Sequence, residues 1–278
     1  LLGDVRPSLV VGVGGYASVA VVLAAALRRI PTVLLEQNVI PGAANRALSH
    51  FARRVCVGFA ESAPYFGARA VHTGNPIRAG LLRPRPSRAL PGVLVFGGSA
   101  GAHRLNQATV EALTLLGPAA RALEVTHQTG DADLAAVEAG YAALGLRVRV
   151  EPFIADMGAA YAVADVVVAR AGAMTCAEVT AVGLPAILVP YPHAADDHQR
   201  RNAEVLVTAG AAEMIDDAEL GGARLAASLR GLLDDAERRA SMAARARALG
   251  RPDAAARVAD ECLAVAAPPS EKENGRRA

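Results

Sequence analysis

The chain has 278 residues, 53% of them hydrophobic, enough for one large domain or two modest ones with real cores. Its 29 basic and 27 acidic residues leave a net charge of +2, and aromatics make up 4% with no Trp, which argues against a basic field or base-stacking platform for nucleic acid. Three scattered cysteines, Cys56, Cys176 and Cys262, form no CxxC pair, which disfavours a disulfide framework or zinc knuckle and fits a reducing cytoplasm.

Residues 9–27 carry no charge and are long enough to raise a membrane span. Gly12, Gly14 and Gly15 cluster inside that stretch, so it reads instead as a buried strand, a glycine turn and a buried helix. "TVLLE" (32–36), a helix near 42–52 and "RVCVGF" (54–59) follow. The prolines of "RPRPSRALPG" (83–92) oppose both helix and sheet and predict a linker. A second series opens with "VLVFGGSAGAHRLN" (93–106), with strands expected at 123–128, 147–151, 165–168, 186–189 and 212–215 and three closing helices at about 223–266. Strands alternating with helices predict an α/β protein of two Rossmann-like, parallel-sheet domains, the first incomplete. The expected division is 1–82 for the first domain, 83–92 for the linker, 93–266 for the second domain and 267–278 for a polar, disordered tail.

Six segments carry candidate chemistry, four of them in the second half. In "FGGSAGA" (96–102) a strand runs into a glycine turn and a helix, where backbone N–H groups and the Ser99 hydroxyl can meet phosphate oxygens; a ligand-free βα turn explains the same residues. In "RAGAMTCAE" (170–178), Thr175 and Glu178 have capping-box spacing, but a carboxylate there can also accept hydrogen bonds from a ribose diol while N–H groups face a diphosphate. "PYPHAADDHQRRNA" (190–203) is a polar loop at a strand's end. Its His193 and His198 lack an evident third ligand, so it reads as a loop grasping sugar hydroxyls or as a solvated loop before it reads as a metal site. In "EPFI" (151–154), Phe153 can stack on a base and Ile154 can offer its backbone, with core packing as the plain alternative. In the first half, Glu36 of "EQN" (36–38) has the look of a catalytic acid but more often such a residue is a cap or ion-pair partner; Arg78 of "GNPIR" (74–78) can meet a phosphate.

Ten segments in order, "GVGGY", "EQN", "GAANR", "GNPIR", "FGGSAGA", "HQTG", "FIADM", "RAGAMTCAE", "GLPAILVP" and "DDHQRRNA", resemble the MurG family of glycosyltransferases over residues 8 to about 215. The resemblance implies the two-Rossmann-domain GT-B fold, with the sugar donor in the C-terminal domain. It implies transfer of N-acetylglucosamine from UDP-N-acetylglucosamine to lipid I, the undecaprenyl-pyrophosphoryl-N-acetylmuramyl-pentapeptide, to give lipid II for peptidoglycan, with inversion and no covalent intermediate. It also implies a cytoplasmic protein peripheral on the inner face of the cell membrane, with no cofactor or metal. By position, the main chain of Ile154 is expected to hold uracil beside Phe153, and Glu178 the ribose hydroxyls. Ser99 and the turn Ala173, Met174, Thr175, Cys176 and Ala177 are expected at the diphosphate, Gln199 with His198 at the sugar, and Asn38 and Arg78 reaching the donor across the cleft. The sequence departs from the family at Leu35, where His is common, at Ala100, where Gln is common, and in lacking the Gly-rich "GGTGGH"-type opening, which leaves the first domain short by on the order of 80–100 residues. A UDP-sugar-binding remnant and a UDP-N-acetylglucosamine epimerase are the alternative readings.

Overall fold

The computed structural model describes residues 2–146 and 148–267; apart from residue 267, the tail expected at 267–278 lies outside the described residues. The chain forms two compact units. One is Leu1–Pro76 joined by the chain from Asp253, and the other is Ile77–Pro252.

In the first unit, α1 (Leu2–Val5), β1 (Val10–Gly12), α2 (Tyr16–Leu27), β2 (Thr32–Glu36), α3 (Ala43–Leu48), β3 (Arg54–Val57) and β4 (Ala70–His72) follow in order. The strands form a parallel sheet in the order β1-β2-β3-β4. The charge-free stretch is the expected strand, glycine turn and helix. Gly14 and Gly15 turn the chain with φ of 86° and 74°. Among the described residues, no helix is long and apolar enough to cross a membrane.

The second unit holds β5 (Gly92–Phe96), α4 (His103–Leu116), β6 (Glu124–Gln128), α5 (Leu134–Ala143), β7 (Val148–Glu151), α6 (Met157–Ala162), β8 (Val166–Ala169), α7 (Ala173–Val182), β9 (Ala186–Leu188), α8 (His198–Thr208), β10 (Ala212–Met214), α9 (Gly222–Leu233) and α10 (Ala236–Leu249). Its six parallel strands are ordered β10-β9-β8-β5-β6-β7. Every residue of β5, β8 and β9 is buried, as the unbroken apolar runs "VLVF", "VVVA" and "AIL" require of strands covered on both faces. On one face Leu225, Leu229 and Leu232, spaced i, i+4, i+7 on α9, join Leu105, Ala112 and Leu113 of α4 in the core.

The units differ from the expected division at three places. Residues 77–82, Arg78 among them, belong to the second unit and not to the first. Residues 83–91 are coil, as their prolines dictate, but ion pairs tie them to the second unit. Arg83 meets Asp156 at 2.9 Å, and Arg85 and Arg88 meet Asp165 at 2.5 and 3.4 Å. The last helix, α11 (Ala254–Ala266), leaves the second unit and packs Val258, Cys262 and Val265 against Val33 and Cys56 of the first sheet. Its apolar face matches either sheet by sequence, and only the path of the chain selects one.

A polar chain runs through the core of the second unit. His127 of β6 is fully buried between Tyr141 Oη at 2.7 Å and Asn106 Oδ1 at 3.0 Å. Asn106 Nδ2 donates to Thr129 O (2.9 Å) and Asp133 Oδ2 (2.7 Å), so its oxygen is left to accept. His127 therefore donates from Nε2 and accepts from the tyrosine at Nδ1, one neutral tautomer. Burial pushes its pKa down to about 4. Between pH 6.5 and about 4 the unfolded chain binds a proton that the folded one refuses, so stability falls as pH drops through that window. The shift corresponds to about 3 kcal/mol. Urea unfolding of the wild type is expected to show this loss between pH 7 and 4.5, and His127→Gln, though less stable at pH 7, is expected to show a flatter pH dependence; equal slopes in the two proteins contradict it.

Candidate donor-binding site

The strand order places a crevice where β5 and β8 lie side by side, because the chain leaves β5 for β6 on one side and returns through β8 on the other. Phe96 pairs in register with Ala169, so both strands end at one level. Open parallel sheets bind ligands beyond the carboxyl ends of strands at such a point. Two expected motifs emerge there: the glycine turn after β5 and the turn into α7 after β8.

The first turn is shaped by backbone contact. Gly98 and Gly101 have φ of 95° and 78°, and a Cβ on Gly101 would stand 1.9 Å from the Thr129 carbonyl oxygen. Gly98 O accepts from Gly101 N at 2.9 Å and from Gln128 Nε2 at 2.7 Å, and Ser99 is exposed at the tip.

The second turn settles the capping-box alternative. α7 is capped by Gly172, which offers no side-chain acceptor, and Thr175 lies inside the helix. Glu178 is the sixth helical residue, in the second turn rather than the first. The amides of Ala173, Met174 and Thr175 are thus the first N–H groups of the helix, where no intrahelical acceptor exists and the helix dipole is positive. Cys176 is buried, and burial pushes its thiol up to about 12, so it is no nucleophile at neutral pH; its N–H donates to Gly172 O at 3.0 Å and closes the first turn of the helix, so the free N–H groups of the expected 173–177 turn end at Thr175.

Glu178 is buried, and Tyr161 Oη donates to its Oε2 at 2.9 Å. Burial raises the carboxyl pKa, while the tyrosine hydrogen bond and the positive charge of Arg78 pull it back down. Arg78 thereby belongs electrostatically to this group. Tyr161 is itself fully buried and stands edge-on to Phe96, 6.1 Å between ring centroids.

The polar loop after β9 is anchored from below. Arg170 donates to the carbonyls of Val189 and Pro190 (3.3 and 3.1 Å) and to buried Asp217 (2.6 Å), and lies over the Tyr191 ring. Gln199 Oε1 accepts from Tyr191 N at 2.9 Å, which fixes the direction of its amide NH2. His198 Nδ1 is 2.6 Å from Ala195 O. Asp196 and Asp197 both adopt left-handed backbone, φ 51° and 53°, a conformation that aspartate tolerates but that has to be imposed by its surroundings. Among the described residues, no group of three His, Cys, Asp or Glu is placed to hold a metal ion.

Ile154 follows β7, two strands from β5, with its side chain buried, so only its main chain can meet a ligand; Phe153 beside it is 55% exposed. Asn38 belongs to the first unit. There Glu36, buried, accepts from Asn38 N (3.0 Å), Gly42 N (3.1 Å) and Asn45 Nδ2 (2.9 Å), and Asn75 Nδ2 donates to Gln37 O (2.9 Å). Glu36 is thus the organiser of its loop. Sequence reasoning missed Tyr161, Arg170 and Gln128. A lone tyrosine in an Ala-rich helix was the available sign, since a buried hydroxyl requires a partner.

The C-terminal domain signature of glycosyltransferase family 28 matches residues 92–258, and that family's N-terminal domain signature matches residues 1–57. An Anaeromyxobacter (strain Fw109-5) protein named UDP-N-acetylglucosamine–N-acetylmuramyl-(pentapeptide) pyrophosphoryl-undecaprenol N-acetylglucosamine transferase is 53% identical over 262 residues, 92% of this chain and 69% of that protein. The chain belongs to the MurG family. The crystal structure of MurG from Acinetobacter baumannii superposes with a TM-score of 0.81 at 34% identity, covering 95% of this chain and 76% of that one. A putative UDP-N-acetylglucosamine 2-epimerase from Listeria monocytogenes gives a TM-score of 0.70 at 18% identity over 93% of this chain and 74% of its own, a likeness of fold alone. The MurG and GT-B expectations from the sequence therefore stand.

Because Tyr161 holds one oxygen of Glu178 and offsets its burial, Tyr161→Phe is expected to raise the Glu178 pKa and move the acidic loss of UDP binding to higher pH. Glu178→Gln is expected to weaken UDP about 10- to 100-fold, the range for hydrogen bonds to a charged group. Titrations with UDP and 2′-deoxy-UDP check both: the losses should shrink for the deoxy ligand, and equal losses for the two ligands contradict a ribose contact.

Proposed function

We propose that this chain transfers N-acetylglucosamine from UDP-N-acetylglucosamine to the lipid-linked N-acetylmuramyl-pentapeptide acceptor, forming lipid II. The observation that carries the reading is the meeting, at one switch point, of a glycine turn, a helix N-terminus with no side-chain cap and a buried carboxylate. A nucleoside diphosphate-sugar presents the complementary groups: two phosphates and a ribose diol.

In this assignment Ser99 and the N–H groups of Ala173, Met174 and Thr175 face the diphosphate, Glu178 accepts from the ribose hydroxyls, and the Ile154 main chain meets uracil with Phe153 alongside. Gln199, with His198 near it, reads the sugar hydroxyls. Arg78 contributes positive charge beside Glu178, and Asn38 in the first unit is a further donor-binding residue. As the acceptor hydroxyl gives its proton to a base or to water and its oxygen bonds to the anomeric carbon, the bond to the diphosphate breaks on the opposite face and negative charge grows on departing UDP. Preorganised N–H dipoles stabilise that charge, which is the main contribution the site makes to the rate. One displacement inverts the anomeric centre and needs no covalent intermediate. The reaction is placed at the cytoplasmic face of the membrane, where the lipid-linked acceptor is available.

The test is lipid II formation from a radiolabelled donor and a lipid-linked acceptor, paired with calorimetric UDP-N-acetylglucosamine binding. Transfer is expected, and donor binding is expected to persist in chelator because Ser99, Arg78 and main-chain N–H groups supply the phosphate contacts. Binding without transfer identifies a UDP-sugar-binding protein, and loss of all binding in chelator returns His193, Asp197 and His198 to consideration as metal ligands.

A further inference from the structure

We infer that Gln128 is a positioning residue for the donor diphosphate, acting by aiming the Ser99 N–H into the site. The inference rests on the donor-site reading above. Gln128 is the last residue of β6, 4% exposed, and pairs in register with Phe96, the last residue of β5. Its Nε2 donates to the Gly98 carbonyl at 2.7 Å, the shorter of the two hydrogen bonds that oxygen accepts; the other comes from Gly101 N.

In a trans peptide the carbonyl of one residue and the N–H of the next point in opposite directions. Pinning Gly98 O toward β6 therefore turns the Ser99 N–H away from β6, out of the protein at the tip of the glycine turn. Gly98 has positive φ and no side chain, so nothing in the residue itself fixes this peptide plane. Gly101 N ties the turn to itself; Gln128 ties it to the sheet. Its amide is the only side-chain kind of that length that both donates here and stays uncharged in a buried position.

The neighbouring base segment has its own anchor. Pro152 O accepts from Gly130 N at 3.1 Å, while Gln128 Nε2 reaches it only at 3.5 Å. Loss of the amide is thus expected to disturb the diphosphate contact and spare the uracil contact.

The experiment compares UDP with uridine, which lacks the phosphates, by calorimetry on the full chain. Gln128→Met, similar in size but without a donor, is expected to lose about 10-fold in UDP affinity, the worth of one hydrogen bond, with uridine affinity held within about twofold. Gln128→Glu is expected to lose more, since an ionised carboxylate would face the Gly98 carbonyl oxygen. Equal losses for UDP and uridine, or unchanged UDP affinity, overturn the inference. A measurement without a variant backs these: in the wild type, the Ser99 amide resonance is expected to shift downfield on titration with UDP and to stay in place with uridine. An unmoved Ser99 resonance with UDP bound overturns the aim assigned to that N–H. A wild type that binds no UDP instead counts against the donor-site reading itself.

Discussion

Burial of β5 and β8 on both faces is the constraint on which the site depends. Strands with no wet face and parallel neighbours cannot carry polar side chains along their length without stranding them in the core. The polar groups are displaced to the ends, and the reversal of strand order around β5 and β8 opens a crevice at one of them. The glycine turn, the start of α7 and the anchor Gln128 all stand within a few residues of that shared end.

Burying charge near the crevice then sets a second requirement, and three buried groups show how it is met. Glu178 has Tyr161 and the field of Arg78, Asp217 has Arg170 and Arg104 (2.9 Å), and His127 has Asn106 and Tyr141. Removing one partner leaves the other desolvated and unpaired, which costs more than the hydrogen bond itself contributed. The same interactions fix the loops. Asp217 holds Arg170, Arg170 holds the carbonyls before Tyr191, and Tyr191 N holds Gln199. A chain of this kind converts core packing into the orientation of an amide at the surface, and keeps it there before a ligand arrives.

The first unit applies the same device at smaller scale. Glu36 bonds two backbone N–H groups and one side-chain amide, and Asn75 reaches back to Gln37 O, so the "EQN" and "GNP" segments form one interlocked corner. A carboxylate spent on three internal donors is committed to architecture, which is why the bland reading of Glu36 was the right one.

By itself the sequence determined the alternation of strands and helices, because unbroken apolar runs such as 93–96 and 166–169 lie between Ala-rich helical segments and glycine turns. It also determined the family, because ten short segments occur in one order, and it located the two turns that meet at the ends of β5 and β8. Only the tertiary structure decided which of the competing local readings holds. Thr175 and Glu178 have capping spacing, yet the helix starts at Gly172 and the carboxylate turns to Tyr161 on another helix. Residues 83–91 read as a linker because prolines forbid regular structure, while their arginines find Asp156 and Asp165 some eighty residues on. α11 returns to the first sheet although the two helices before it in the chain, α9 and α10, belong to the second unit. In each case the local pattern fixes what a segment is able to form, and partners distant in sequence fix what it bonds to.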